Sequence, residues 1–315
     1  MIINFSLIVL SFLILFVGAE GLVRGSASLA LRAGLTPLMI GLTVVAFGTS
    51  SPELVVSLKA ALVGQEDIAV GNVVGSNIFN IGIILGLTAL ICPVPVQLQI
   101  IKIDAPIMIL VAIILPLMLV DGYLGRLEGG ILFGAICAYT LLNVNLARKA
   151  GSLQVVSDLT DAVAKKSLHW SMDTFYILGG LGLLVFGSNL LLNNAIIVAR
   201  GFTISEAVIG LTIIAAGTSM PELATSIVAA LRQQPDLAVG NIVGSNIFNI
   251  SGILGLSSLA SPIKAAGIKQ FDYAVMIGFS LLLLPLLWSG FKLRRIEGGI
   301  LFLCYCTYVL ILWPN

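Results

Sequence analysis

The chain has 315 residues, of which 58% are hydrophobic and 10% charged, with a formal net charge of +1. Soluble domains carry about 25% charged residues, so a soluble enzyme or binding domain is excluded. No basic stripe points to nucleic acid.

No Asp, Glu, Lys or Arg occurs between Asp67 and Lys102, or between Asp236 and Lys264. Such runs are longer than the ~20 apolar residues that cross a bilayer. In lipid the backbone must satisfy itself within helices or a closed barrel. The apolar runs are continuous rather than alternating, which selects helices. The fold class is therefore all-α integral membrane.

Ten spans are predicted, at 3–22, 35–63, 67–91, 104–120, 127–147, 172–198, 204–231, 237–260, 271–290 and 296–313. The apolar N-terminal run reads as the first span, because Glu20 and Arg24 follow it and no small-residue cleavage site stands out. The second span carries VAFGTSSPELVVSL, residues 44–57, with Gly48, Pro52 and Glu53 together. The third carries GNVVGSNIFN, residues 71–80. After the fifth span comes the one long polar interval, 148–170, which reads as a loop with room for a short amphipathic helix. It contains the only histidine, His169, read as solvated. The cysteines Cys92, Cys137, Cys304 and Cys306 lie in apolar segments without a CxxC pair, so packing is the reading rather than metal or redox chemistry.

The loop separates two halves that repeat. With a shift of 169, residues 41–86 fall on 210–255 without a gap, and 31 of the 46 positions are identical. The same shift places RLEGGILF (126–133) on RIEGGILF (295–302). The predicted organisation is a five-span repeat at 1–147, a connecting loop at 148–170 and a second five-span repeat at 171–315. Five is odd, so the second repeat enters from the opposite side and the halves are inverted repeats.

Lysine and arginine set the orientation. With the N-terminus outside, eleven fall in inner loops (Arg24, Arg32, Lys102, Arg148, Lys149, Lys165, Lys166, Arg232, Lys292, Arg294 and Arg295). Five fall outside: Lys59, Arg126, Arg200, Lys264 and Lys269. Both termini are expected outside.

The chemistry concentrates in the repeated spans. Proline lacks an N–H and suits the first turn of a helix, so GTSSPE predicts two half-helices joined at 48–52. Glu53 then sits in the first turn of the second half-helix, where the helix dipole favours a negative charge. The break frees carbonyl oxygens. In the next span Ser76 and Asn80 share a helical face, and Gly71 and Gly75 permit close helix approach. The second half repeats the set with Thr218, Ser219, Glu222, Gly240, Gly244, Ser245 and Asn249. A GxxxG pair is ordinarily packing, and a serine in a membrane helix ordinarily bonds its own backbone. Two mid-span carboxylates are different, since each costs about 2.5–3.5 kcal/mol even on the lenient insertion scale.

The ligands so gathered are all oxygen, with no buried Lys or Arg for an anion and no thiolate set for a soft metal. Hard cations want oxygen, and Ca2+ accepts 6–8 such ligands. Two carboxylates neutralise one Ca2+, and several Na+ would share the same oxygens.

GTSSPEL…GNVVGSNIFN and GTSMPEL…GNIVGSNIFN resemble the two alpha-repeats of the cation/calcium exchanger superfamily, in particular the prokaryotic sodium/calcium exchangers. The resemblance covers essentially the whole chain. It implies that Glu53 and Glu222 bind Ca2+, helped by backbone oxygens of Thr49 and Thr218. It implies flanking sodium sites at Ala46, Thr49, Ser50, Glu53 and Ser245, and at Ala215, Thr218, Ser219, Glu222 and Ser76. Some relatives have aspartate where this chain has Asn249, the partner of Asn80. Two acids rather than three argue against K+ co-transport, and Asn80 and Asn249 are expected to orient the glutamates or bind water.

The implied function is Na+/Ca2+ antiport by alternating access in a prokaryotic inner membrane, with the first and sixth spans sliding as the gate. The lipid bilayer, Ca2+ and Na+ are the expected partners, with no cofactor and no protein partner. A Ca2+/H+ antiporter is the alternative, and a passive cation channel fits inverted repeats with midplane acids less well. An intramembrane enzyme is disfavoured by the lack of HExxH, a mid-span histidine or a buried aspartate pair.

Overall fold

A computed structural model describes residues 2–151, 170–201, 215–265 and 267–312. The loop residues 152–169 with His169, and the N-terminal part of the span expected at 204–231, lie outside the described residues.

In chain order the helices are α1 (Ile2–Ala33), α2 (Pro37–Thr49), α3 (Ser51–Leu62), α4 (Glu66–Ile91), α5 (Ile100–Met118) and α6 (Arg126–Gly151). They continue with α7 (Trp170–Gly201), the single turn α8 (Ala215–Thr218), α9 (Met220–Leu231), α10 (Pro235–Ala260), α11 (Gln270–Trp288) and α12 (Arg295–Leu312). Among the described residues eight helices are long and apolar enough to cross a bilayer, or nine if the bent pair α2–α3 counts as one span.

Two helix boundaries correct the sequence reading. The first span was expected to end at residue 22, but α1 continues to Ala33. At 1.5 Å per residue its 32 residues reach about 48 Å, well beyond a hydrocarbon core of about 30 Å. A helix need not end where the lipid ends, so Glu20, Arg24 and Arg32 ride on α1 rather than in a loop. Likewise α5 begins at Ile100 rather than 104, which puts Lys102 and Asp104 on a helix. Asp104 is buried and accepts a hydrogen bond from the Tyr139 hydroxyl at 2.9 Å.

Burial divides the helices into a centre and a rim. The most apolar window of α10 is 94% buried and that of α4 72%, against 11% for α12. The reason lies in the residues. Both central helices carry asparagines, serines and glycines all round, which protein can satisfy and lipid cannot. A Cβ on Gly240 would lie 2.9 Å from the Leu38 carbonyl oxygen, and one on Gly244 2.6 Å from that of Leu42. Those two glycines let α2 lie directly on α10.

Among the described residues four two-residue strands tie the loops together: β1 (Val94–Pro95), β2 (Tyr123–Leu124), β3 (Ile263–Lys264) and β4 (Lys292–Leu293). β1 pairs antiparallel with β4 and β2 with β3. β1 precedes α5 and β2 follows it, while β3 precedes α11 and β4 follows it. The two pairings therefore lie at opposite ends of α5, and α5 and α11 run antiparallel. α1 and α7 also run antiparallel: Arg32, near the end of α1, donates to Asp173 near the start of α7, and Gly25 and Gly18 approach Asp173 and Gly180.

Candidate cation site

The break in the second span falls at Ser50, whose φ of −79° and ψ of 9° leave the helical region. Beyond it α3 departs at 47° from α2. Pro52 has no N–H to offer the turn before it, so the helix restarts at Ser51 with Glu53 in its first turn. Ser219, at φ −86° and ψ 10°, makes the same break between α8 and α9, followed by Pro221 and Glu222. In the second half the Gly217 carbonyl just before the break accepts the Ser188 hydroxyl of α7 at 2.6 Å.

The two breaks face each other. Ser219 Oγ donates to Glu53 Oε1 at 2.9 Å, and Ser50 Oγ donates to Glu222 Oε1 at 2.8 Å. Each carboxylate is thus held by a serine of the other half, and both are fully buried. Ser219 Oγ also lies 3.1 Å from Ser76 Oγ. As ion ligands the resemblance grouped Ser219 with Glu222 and Ser76, and Ser50 with Glu53; the hydrogen bonds link Ser219 to Glu53 and Ser76, and Ser50 to Glu222. Hydrogen bonds across the centre are invisible in a sequence that repeats each half separately.

Thr49 Oγ1 donates to Asn241 Oδ1 at 3.0 Å and lies 3.4 Å from the Ala46 carbonyl oxygen. The Ala46 carbonyl also accepts the Ser50 N–H at 3.0 Å. Thr218 Oγ1 donates to Asn72 Oδ1 at 3.3 Å. Ala215 opens the turn that carries Thr218.

Asn72 and Asn241 are residues the sequence reading passed over. Asn72 Nδ2 donates to the Glu53 carbonyl at 3.3 Å and to Ser57 Oγ at 2.9 Å. Asn241 Nδ2 donates to the Glu222 carbonyl at 3.5 Å and to Ser226 Oγ at 3.1 Å. Each asparagine clamps the backbone of one glutamate while accepting from the threonine of the other half. The available signal was their identity in both copies of GN(V/I)VGSN.

Asn80 and Asn249 are fully buried but make no hydrogen bond to either glutamate. Asn80 Nδ2 donates to Asn246 Oδ1 at 2.9 Å and Asn249 Nδ2 to Asn77 Oδ1 at 3.0 Å. They were expected to orient the glutamates or bind water; their amide nitrogens are used between α4 and α10, and neither bonds a glutamate side chain. Both sit in π-helical turns, Asn80–Leu85 and Phe248–Leu254, a distortion frequent at functional sites.

Five oxygen atoms of the residues expected in the site are buried with no hydrogen-bond partner: Glu53 Oε2, Glu222 Oε2, Asn80 Oδ1, Asn249 Oδ1 and Ser245 Oγ. Orphaned buried acceptors cost roughly 1–3 kcal/mol each, more when charged. Among the described residues, the ion pairs are Arg32–Asp173 and Arg232–Glu20, and neither involves these glutamates. No cluster of three or more His, Cys, Asp and Glu occurs among the described residues, so amide, hydroxyl and carbonyl oxygens must complete any cation shell. The donor set fits a hard cation.

The family described as "Sodium/calcium exchanger protein" matches residues 3–145 and 172–313. The chain belongs to the sodium/calcium exchanger family. Among relatives of this family member, the sodium/calcium exchanger MaX1 of Methanosarcina acetivorans is 31% identical, with 99% of each chain covered. The inner membrane protein YrbG of Escherichia coli is 38% identical over 91% of this chain and 90% of its own. The solved structure of the sodium-calcium exchanger NCX_Mj, soaked with 2.5 mM Na+ and 0.1 mM Ca2+, superposes with a TM-score of 0.84 at 30% identity and covers 98% of each chain. The chain is thus an integral membrane protein with the all-helical NCX_Mj fold, in a family of transporters rather than enzymes.

Proposed function

We propose that this chain is a secondary active antiporter that exchanges Na+ for Ca2+ by alternating access, with Glu53 and Glu222 binding Ca2+. The observation that carries the proposal is the pair of fully buried carboxylates, Glu53 and Glu222, each with one oxygen that has no hydrogen-bond partner. A relative and a solved neighbour named as sodium/calcium exchangers support the choice of ions.

The architecture proposed for this activity has ten spans in two inverted repeats, divided at 1–147, 148–170 and 171–315, with both termini outside. The antiparallel course of α5 against α11, and of α1 against α7, supports the inversion, since each pair is related by the shift of 169. The flanking sodium ligands proposed are the Ala46 and Ala215 carbonyls with Thr49, Thr218, Ser50, Ser219, Ser76 and Ser245. Asn80 and Asn249 contribute their free amide oxygens.

Charge then gives the coupling. Without a cation, two ionised glutamates would place a charge of about −2 in a low-dielectric centre, at a cost of several kcal/mol per ion. Ca2+ or Na+ offsets it, so loaded forms change sides and the protein exchanges rather than leaks. α1 and α7 pack as one body through Gly18, Gly21 and Gly180, and are the proposed sliding gate.

The test is 45Ca uptake into proteoliposomes with Na+, K+ or H+ gradients imposed one at a time. Uptake driven by a Na+ gradient alone supports the proposal. Uptake driven by a H+ gradient alone replaces it with Ca2+/H+ antiport, and gradient-independent, non-saturating flux replaces it with a channel.

A further inference from the structure

α1 and α7 occupy equivalent places in the two halves, and each lies beside the half-helix that follows the other half's break. The two neighbourhoods differ. On one side Leu15, Ala19, Leu22 and Val23 of α1 are buried in one apolar cluster with Val228 and Ala229 of α9. On the other, α7 stands away from α3 and leaves a cleft of about 140 Å³. Val55, Val56, Ser188 and Asn189 line it, and it reaches Thr218 in the cation site.

A charge pair sits on the sealed side. Arg232, the residue that ends α9, grips Glu20 of α1 with two parallel bonds, Nε to Oε2 at 2.8 Å and Nη2 to Oε1 at 2.8 Å. This two-pronged geometry is the strong form of an arginine–carboxylate contact. Subtracting 169 from 232 gives Val63, which ends α3, and adding 169 to 20 gives Asn189, in the cleft. The clefted side therefore has no charge pair at the same place.

We infer that Glu20–Arg232 is a one-sided latch that holds α1 against α9, so that the cation site is reached preferentially through the α3–α7 cleft. The latch rests on the alternating-access reading above. It acts outside the ion site, on the balance between the two facing states. The side chains are 32% and 58% exposed, so solvent screens the pair, and an exposed ion pair is worth up to about fivefold in an equilibrium.

The experiment compares thiol accessibility on the two sides. In a background with Cys92, Cys137, Cys304 and Cys306 replaced by serine, Val56→Cys reports the cleft. Thr225→Cys, its equivalent on α9, is fully buried here and reports the sealed side. In lipid nanodiscs both faces meet a charged maleimide. Expected is a rise in the Thr225→Cys to Val56→Cys labelling ratio, up to about fivefold, in Glu20→Gln. The charge swap Glu20→Arg with Arg232→Glu returns the ratio toward wild type. Building the missing latch with Val63→Arg and Asn189→Glu lowers Val56→Cys labelling. An unchanged ratio in Glu20→Gln, or a swap variant that elutes as folded protein yet keeps the Glu20→Gln ratio, overturns the latch. Labelling needs no transport, so Na+-driven 45Ca uptake in the same preparations separately tests the exchange reading.

Discussion

The cation centre and the α1–α7 pair are both built from equivalent pieces of the two halves, yet they have diverged very differently. Residues 41–86 and 210–255 share 31 of 46 positions, whereas residues 3–32 and 172–201 share 5 of 30: Ile8, Leu15, Gly18, Leu22 and Ala30 with their equivalents. The centre is bound by reciprocity. Ser50 serves Glu222 and Ser219 serves Glu53, and Asn72 and Asn241 do the same for Thr218 and Thr49. A change in one half breaks a contact of the other. The outer pair has no such constraint, and its differences, among them Glu20 against Asn189, are free to make the two sides unequal.

The comparison breaks most visibly at the glutamates. Glu53→Gln and Glu222→Gln each leave a −1 site for a +2 ion. Both are expected to lower Na+-driven Ca2+ uptake by roughly a hundredfold or more while the protein still inserts and elutes as a single species. Wild-type transport in either would remove that residue from the site.

Next come the clamps. Asn72→Ala and Asn241→Ala each strand a buried glutamate carbonyl and a threonine hydroxyl, a loss of about 1–3 kcal/mol, or roughly 5- to 150-fold in Ca2+ affinity. Because the contacts are reciprocal, the two variants should match each other. Ca2+ titration of both checks this, and a large inequality would mean the centre is not functionally symmetric.

The clamps also show what the sequence could and could not disclose. Pro52 and Pro221 located both helix breaks, because a missing N–H is a local fact. The buried glutamates were legible because a carboxylate in an apolar run has no other explanation. The cross-half serine bonds and the asparagine clamps depend on which faces meet at the centre, and the repeat alone does not say that. The length of α1 was misread because Glu20 and Arg24 look like the end of a span, whereas they lie on a helix longer than the hydrocarbon is thick. The partners of Asn80 and Asn249 were equally illegible: their amide nitrogens bond Asn246 and Asn77 across the two halves, and no spacing in the sequence says so.

Smaller effects sharpen the division of labour. Alanine at Ser76 or Ser245 should weaken Na+ competition several-fold with little change in Ca2+ affinity, measured by Ca2+ binding across a Na+ series. Ser50→Ala and Ser219→Ala should affect both ions, since their hydroxyls hold the carboxylates at 2.8 and 2.9 Å. Equal losses in all four would erase the distinction.

The smallest expected change is in Asn249→Asp. It turns an amide whose own oxygen has no partner in the protein into a third acid. Exchange should slow at high pH, where the new carboxylate is charged, or regain speed when K+ offsets it. Transport across pH 6 to 9, with and without K+, reads this. Wild-type behaviour throughout would place Asn249 outside the ion cavity.

The most direct measurement of the central claim is Ca2+ binding to the purified protein by isothermal titration calorimetry, in wild type, Glu53→Gln and Glu222→Gln, with and without Na+. Wild type is expected to bind Ca2+ that Na+ displaces, and neither variant to bind Ca2+ measurably. Na+-sensitive Ca2+ binding that survives in both variants would contradict that claim.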